Sequence, residues 1–332
     1  MEQTNKQDIL VTGGTGFIGS HLIHRLIREG ARVHIFARRE SLMWRIEDVL
    51  SKATLWSGNL IDYDSVQRCI EGSNPEIIFH LAGVTDVRWL DQDWSQVYRS
   101  IDINLKGTLN LLKAVKSTGA KTRCFIRTSG IEEYGHGSVP FEEGQRERPV
   151  SPYSASQVAT THYCQMLQRH LEFPVVTLRL ALSYGPSQST DFFIPSLITH
   201  CLNGQDFEMT TGEQRRDLLY VDDVVEALIR SGEAQQIAGE IINIGAESPV
   251  RIVDVAKMIS NMTGASTLLK IGTIPERPSE TLDLIFDNRR ARRLLGWYPT
   301  TSLEKGLERT IAWYRENALP KTETQGKMKR PS

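Results

Sequence analysis

Cysteine is scarce in this sequence, with four residues among 332, at positions 69, 124, 164 and 201. No CxxC pair or Cys/His cluster occurs, which argues against a structural zinc site and against a disulfide framework. Free thiols are the expected state. His21, His24 and His34 have no cysteine or carboxylate at ligand spacing, so no metal is expected either. Long apolar runs are also missing. The stretches Ile9–Thr12 and Ile77–Ala82 are strand-sized, far short of the roughly 20 residues that span a bilayer. Charge of one sign is lacking too. The net charge is −1, which gives no electrostatic reason to bind nucleic acid or an anionic membrane. The first eight residues, MEQTNKQD, are polar and carry no secretory apolar segment. These absences together predict a cytoplasmic protein with no membrane or nucleic-acid partner.

What is present is an alternation of strand and helix signals. The chain is 40% hydrophobic, enough for a large core and for two lobes. Strands are predicted at Asp8–Thr12, Ala31–Ala37, Ile77–Leu81, Arg123–Thr128 and Pro174–Leu180. Helices are predicted at Phe17–Glu29, around Ser65–Ile70, at Val97–Lys116 and at Ser154–His170. Such alternation means an α/β fold with a doubly wound parallel sheet of Rossmann type. After Tyr184 the pattern breaks and Pro and Gly cluster, predicting a smaller α+β lobe. The expected division is a dinucleotide-binding domain over 1–180, with segments near 217–245 returning to it. A substrate lobe is expected over 181–318 and a polar, disordered tail over 319–332. Trp89, Trp94 and Trp297 are expected in core packing, and Arg289–Arg293 on a solvated helix face.

The sharpest local signal is Asp8-Ile-Leu-Val-Thr-Gly-Gly-Thr-Gly-Phe-Ile-Gly19. A strand leads into glycines, and a helix leaves them. Gly14-x-Gly16-x-x-Gly19 fits the dinucleotide fingerprint, with Gly13 adding a second glycine spacing. Such glycines allow a tight turn and a close approach of backbone to pyrophosphate at a helix N-terminus. The second strand then says which dinucleotide. NAD sites place a carboxylate at its end; here Ala37 is followed by Arg38 and Arg39. Guanidinium groups suit a 2′-phosphate, so NADP is predicted over NAD. Asn59, followed by Leu60, is a candidate neighbour of the adenine.

These features, with HLAG (80–83), NLKGTLNLL (104–112), SPYSAS around Tyr153, RLALSYGP (179–186), RRDLLYVDDV (215–224) and the run from Arg277 to Leu307, resemble the extended short-chain dehydrogenase/reductase family. That family contains nucleotide-sugar epimerases, dehydratases and 4-ketoreductases, and the resemblance covers residues 8–315. It implies that Gly13, Gly14, Thr15, Gly16, Phe17, Ile18, Gly19, Leu81, Ala82, Gly83 and Leu180 line the dinucleotide. It implies that Thr85, Leu182, Arg216 and Arg277 line a nucleotide diphosphate sugar. Tyr153 becomes the general acid/base, and a homodimer through the long helix is expected.

Three departures from the family pattern bear on chemistry. The lysine expected four residues after the tyrosine is Gln157, which can hydrogen-bond a ribose but carries no charge. Without that cation, Tyr153 is expected near the ordinary phenol value of about 10, protonated at neutral pH. The expected Ser/Thr is Gly130, leaving Thr128 or Ser129 as substitutes. Of the Asp-Glu pair of the 4,6-dehydratases only Glu132 is present, beside Ile131. Leu182 stands in place of a usual asparagine. A protonated phenol favours donating a proton, so the reading is an NADP-dependent reductase of a 4-keto-6-deoxy nucleotide sugar. Two alternatives stand beside it. One is an epimerase or dehydratase with rearranged acid/base residues such as Glu132 or Glu133. The other is a non-catalytic dinucleotide-binding protein, since fold does not dictate function.

Overall fold

The computed structural model describes residues 7–85, 94–276 and 283–317. The chain forms two compact units. The first comprises Met1–Leu180, Val224–Ile244 and Asp287–Tyr298; the second comprises Ala181–Asp223, Gly245–Phe286 and Pro299–Ser332.

The first unit is built on a seven-stranded sheet. Strands β1 (Asp8–Thr12), β2 (Arg32–Ala37), β3 (Thr54–Ser57), β4 (Ile77–His80), β5 (Cys124–Gly130) and β6 (Val175–Leu180) are joined by an edge strand, Ile241–Ile244. The order runs from that edge strand through β6, β5, β4, β1 and β2 to β3, with every pairing parallel. Parallel strands must be covered on both faces, and they read as near-continuous apolar runs. Accordingly β4, IIFH, is buried throughout. Helix α1 (Phe17–Arg28) turns Leu22, Ile23 and Leu26 inward. Helix α2 (Tyr63–Ser73) starts at Asp62, whose carboxylate accepts from the Asp64 N–H at 3.2 Å, and stops at Asn74 in the left-handed region. Such caps satisfy backbone groups that a helix end would otherwise strand.

The helix predicted over Val97–Lys116 is three pieces. These are α3 (Trp94–Ser100), a π-helical turn at Ile101–Lys106, and α4 (Gly107–Thr118). The wide turn leaves the apolar spacing helical, so periodicity does not reveal it. Helix α5 (Pro152–Gln168) opens with a capping box, in which the Ser151 side chain takes the Ser154 N–H and Ser154 reaches back. Of the tryptophans expected in the core, Trp297 is buried and Trp94 is exposed; Trp89 lies outside the described residues. The arginine run is more than a solvated face, since Arg289 pairs with Asp287 and Glu142, and Arg290 with Glu240.

The second unit is a set of small sheets with three longer helices. Leu182–Tyr184 pairs parallel with Leu218–Tyr220, and Arg215–Arg216 lies between Val250–Arg251 and Asp283–Leu284. Helices Phe193–Leu202, Ile252–Thr263 and Leu303–Glu316 pack with them. Buried Asp217 accepts the Ala246 and Phe286 N–H groups at 2.8 and 3.3 Å, and burial pushes its carboxyl up to about 6. Among the described residues, no helix is long and apolar enough to cross a membrane.

Candidate active site

The glycine turn is dictated by contacts that leave no room for a side chain. Gly13 has φ +72°, and a Cβ there would lie 2.5 Å from the Ala82 nitrogen. The turn therefore closes against the chain leaving β4. A Cβ on Gly19 would sit 2.2 Å from the Gly13 carbonyl oxygen. Gly16 is different, since only that same oxygen approaches its Cβ position, at 3.2 Å. Gly16 caps α1 without a side-chain bond, and the first turn carries no carboxylate. The result is a cradle with open backbone N–H groups at a helix N-terminus, which fits a pyrophosphate. Thr15, Phe17 and Ile18 are half-buried around it.

Beside the cradle, Ala37 is buried at the end of β2, while Arg38 and Arg39 are exposed. Arg38 Nε lies 3.5 Å from Glu40. Asn59 is exposed and its side-chain oxygen accepts the Ile61 N–H at 3.3 Å, while Leu60 is buried. Leu81 and Ala82 are half-buried, and Gly83 and Thr85 are exposed. Leu180, at the end of β6, is buried. In the second unit, Leu182 is half-buried and Arg216 is buried, with Nη1 donating to the Arg215 carbonyl at 3.0 Å. Arg277 lies outside the described residues.

His80 fixes the turn to the sheet. Thr108 donates its hydroxyl to the Asn104 carbonyl at 2.6 Å, so it accepts from His80 Nε2–H at 2.9 Å. Nδ1 then accepts from the Thr12 hydroxyl at 2.7 Å. Burial, reinforced by the Arg127 charge, pushes the imidazolium down to about 3. A depressed folded-state value means stability present above about 6.5 and lost as pH falls toward 3. We expect an acid-side loss of about 1.4 kcal/mol per pH unit below 6.5 from this group. Urea unfolding of the wild type and of His80→Gln should diverge in slope between pH 6.5 and 5; parallel curves would refute the assignment.

Tyr153 stands in the first turn of α5, and it is buried. Strand β5 stays extended through Gly130, at φ −129° and ψ 162°. A Cβ on Gly130 would lie 3.1 Å from the Tyr153 hydroxyl and 2.1 Å from Glu132 Oε2. The space that the family's Ser/Thr would take is thus filled by the Glu132 carboxylate, beside the phenol. The expectation that Tyr153 sits near its ordinary value needs correction. Burial first, then the Glu132 and Glu133 charges, hold the phenol well above it, against a smaller opposing effect of Arg127. Ser129 Oγ is buried with no hydrogen-bond partner. Thr128 is half-buried, on the Gly130 side by strand alternation.

Two residues that spacing did not single out, Asn104 and Arg127, and one that it offered as an acid or base, Glu133, complete the site. Asn104, in the π-helical turn, accepts from the Val84 N–H at 2.8 Å and donates to Ser156 Oγ at 2.8 Å. It ties the chain after β4 to the first turn of α5. Arg127 on β5 is fully buried and donates to Thr161, Thr177 and Gln157. Glu133 is not a mobile acid or base. It is enclosed, paired with Arg179 at 2.6 Å, and accepts from Thr161 at 3.1 Å. Among the described residues no group of His, Cys, Asp and Glu could hold a metal ion.

Comparison with known proteins finds relatives that match nearly the whole chain. The family model for GDP-mannose 4,6 dehydratase matches residues 10–310. The dTDP-D-glucose 4,6-dehydratase of Mus musculus is 30% identical, over 93% of this chain and 89% of its own. A UDP-glucose 4-epimerase from Thermotoga maritima, solved with UDP-glucose, superposes with TM-score 0.84 at 28% identity, covering 93% of this chain and 98% of its own. A UDP-glucuronic acid 4-epimerase from Bacillus cereus, solved with UDP-glucuronic acid and NAD, gives TM-score 0.82 at 27% identity, over 93% and 99%.

Proposed function

Because the chain belongs to the GDP-mannose 4,6-dehydratase family, among the dehydratases and epimerases of the extended short-chain dehydrogenase/reductases, we propose that it is an NADP-dependent reductase of a nucleotide diphosphate sugar, acting on a 4-keto-6-deoxy sugar. The observation that carries this reading is the surroundings of the Tyr153 hydroxyl. A carboxylate, Glu132, lies next to it where the family's fixed hydroxyl would be, and burial holds the phenol protonated. Such a group enters the reaction already carrying the proton that a reductase must give, whereas an oxidising enzyme would first need it removed.

When bound in the glycine cradle, NADPH supplies the hydride that the ketone carbon receives. Tyr153 donates its proton to the ketone oxygen, which leaves an alcohol and a phenolate. Thr128, half-buried on the Gly130 side of β5, holds that oxygen, while Ser129 faces the other way. The phenolate is costly beside Glu132, and this half-exposed carboxyl returns a proton to it from water. Arg38 and Arg39 meet the 2′-phosphate, and exposed guanidinium groups after a buried alanine support that choice. Arg216 binds the diphosphate. The apolar residues Trp94, Tyr98 and Ile101, together with Tyr163 and Met166 on α5, are exposed. They support a homodimer through these helices. Four buried free cysteines support a reducing, cytoplasmic setting.

The test is NADPH consumption, followed by absorbance, with a panel of 4-keto-6-deoxy nucleotide sugars. Turnover should fall by about 10²–10⁴-fold in Tyr153→Phe, and NADPH should outperform NADH. No turnover with any sugar would sink the reading. A second reading draws on the Glu132 position itself, because a carboxylate there could act as a base in an epimerase with retained cofactor. Conversion of a nucleotide sugar to its epimer, without net cofactor consumption and lost in Glu132→Gln, would favour it.

A further inference from the structure

Gln157 stands where the family carries a cation, yet the structure has a cation directly behind it. Arg127 is 1% exposed on β5. Its Nη1 donates to Thr161 Oγ1 at 2.8 Å and Thr177 Oγ1 at 3.2 Å, and its Nη2 donates to Gln157 Oε1. All three partners are neutral, and among the described residues it makes no ion pair. A guanidinium can only donate, so the amide must face it with oxygen. The Gln157 NH₂ is thereby turned the other way. Its Nε2 lies 3.8 Å from the Cβ position of Gly83, in the HLAG segment, and it makes no hydrogen bond among the described residues.

We propose that Arg127 and Gln157 work as one unit: Arg127 pins and polarises the Gln157 amide so that its NH₂ donates to the dinucleotide at the HLAG segment, with the positive charge kept one layer deeper. The unit rests on the reading that a dinucleotide occupies the glycine cradle. A buried cation with only neutral partners is expensive, and its positive field reaches both Tyr153 and His80. Arg127 is a positioning residue in this account, and Gln157 touches the cofactor.

The consequence runs against a simple repair. Gln157→Lys would place an ammonium against the Arg127 guanidinium in a buried site, where like charges repel strongly. Gln157→Glu would do the opposite, pairing with Arg127 while removing every donor from the cofactor side.

The experiment measures NADPH dissociation constants by nucleotide fluorescence and thermal midpoints without nucleotide, on the purified full chain. Gln157→Glu should keep or raise the midpoint and weaken NADPH about tenfold, the value of one good hydrogen bond. Gln157→Lys should lower the midpoint and weaken NADPH. Adding Arg127→Met to Gln157→Lys should recover both, a coupling that independent sites would not show. A purely structural role for Gln157 would move midpoint and affinity together. Wild-type affinity in Gln157→Glu, or improved affinity in Gln157→Lys with Arg127 intact, would overturn the unit alone. A wild-type chain that takes up no dinucleotide would overturn the cofactor reading, and the unit with it.

Discussion

Replacing Glu133 with leucine is expected to lower the unfolding free energy by about 3–5 kcal/mol, the range for orphaning one partner of a buried ion pair. Both side chains of the pair are 0% exposed. Glu133 Oε2 accepts from Arg179 Nε at 3.0 Å and Nη2 at 2.6 Å, and the Thr161 hydroxyl lies 3.1 Å from each carboxylate oxygen. Arg179 also donates to Glu147 at 2.6 Å and lies 4.5 Å above the Tyr134 ring. Leucine would leave the guanidinium with Glu147 alone, and Thr161 would lose its acceptor. The pair joins β6 and α5 to the segment after β5, so it holds in place the elements that carry Gly130 and Tyr153. Urea unfolding at pH 7 measures the loss. A cost under about 1 kcal/mol would show that the pair is dispensable, as exposed pairs often are.

Gly19→Ala is the second large effect, and it falls on the cofactor. Its Cβ would lie 2.2 Å from the Gly13 oxygen and 2.8 Å from both the Gly13 carbonyl carbon and Gly14 Cα. All three are backbone atoms, which cannot swing aside as a side chain can. Helix α1 must back away from the turn, and the N–H groups at its start leave the pyrophosphate position. We expect dinucleotide affinity to fall by 100-fold or more, which is about 2.7 kcal/mol, with a stability cost of about 1–3 kcal/mol from overpacking. Gly16→Ala makes the contrast. Its nearest neighbour is at 3.2 Å and its φ of −81° suits any residue, so it should fold normally and lose affinity only through crowding the phosphates. Equilibrium dialysis with NADH and with NADPH reads both variants. Affinity within threefold of wild type in Gly19→Ala would remove the close-packed turn from the binding site.

The parts legible in the sequence were those whose signal is local. β1, the glycine turn and α1 are contiguous, and the apolar runs of β4 and β6 leave little choice but a buried strand. Strand β3 was missed because TLWS is an exposed edge segment without clear alternation. The π-helical turn was missed because it inserts no breaker residue. The polar network of the site was hidden for another reason. Arg127 meets partners 30, 34 and 50 residues away, and Glu133 meets Arg179 46 residues away. No motif spacing records such pairings, which exist only once β5, β6 and α5 lie side by side. Gly130 was read as a missing hydroxyl, and the folded chain shows the gap filled by a neighbour. Gln157 was read as a missing charge, and the charge lies one layer behind it.

The Glu132 carboxylate in the Gly130 gap alters how the site meets its substrate. A serine or threonine hydroxyl hangs from one rotatable bond and has a fixed reach. A glutamate carboxylate hangs from three, and the nearest atom to the Gly130 Cβ position is an oxygen at the far end of that side chain. The wall beside Tyr153 therefore presents an ionised group that only accepts hydrogen bonds, where a hydroxyl could both give and take one. Recognition at this wall thus favours a group that can donate a hydrogen bond, and turns away one that can only accept.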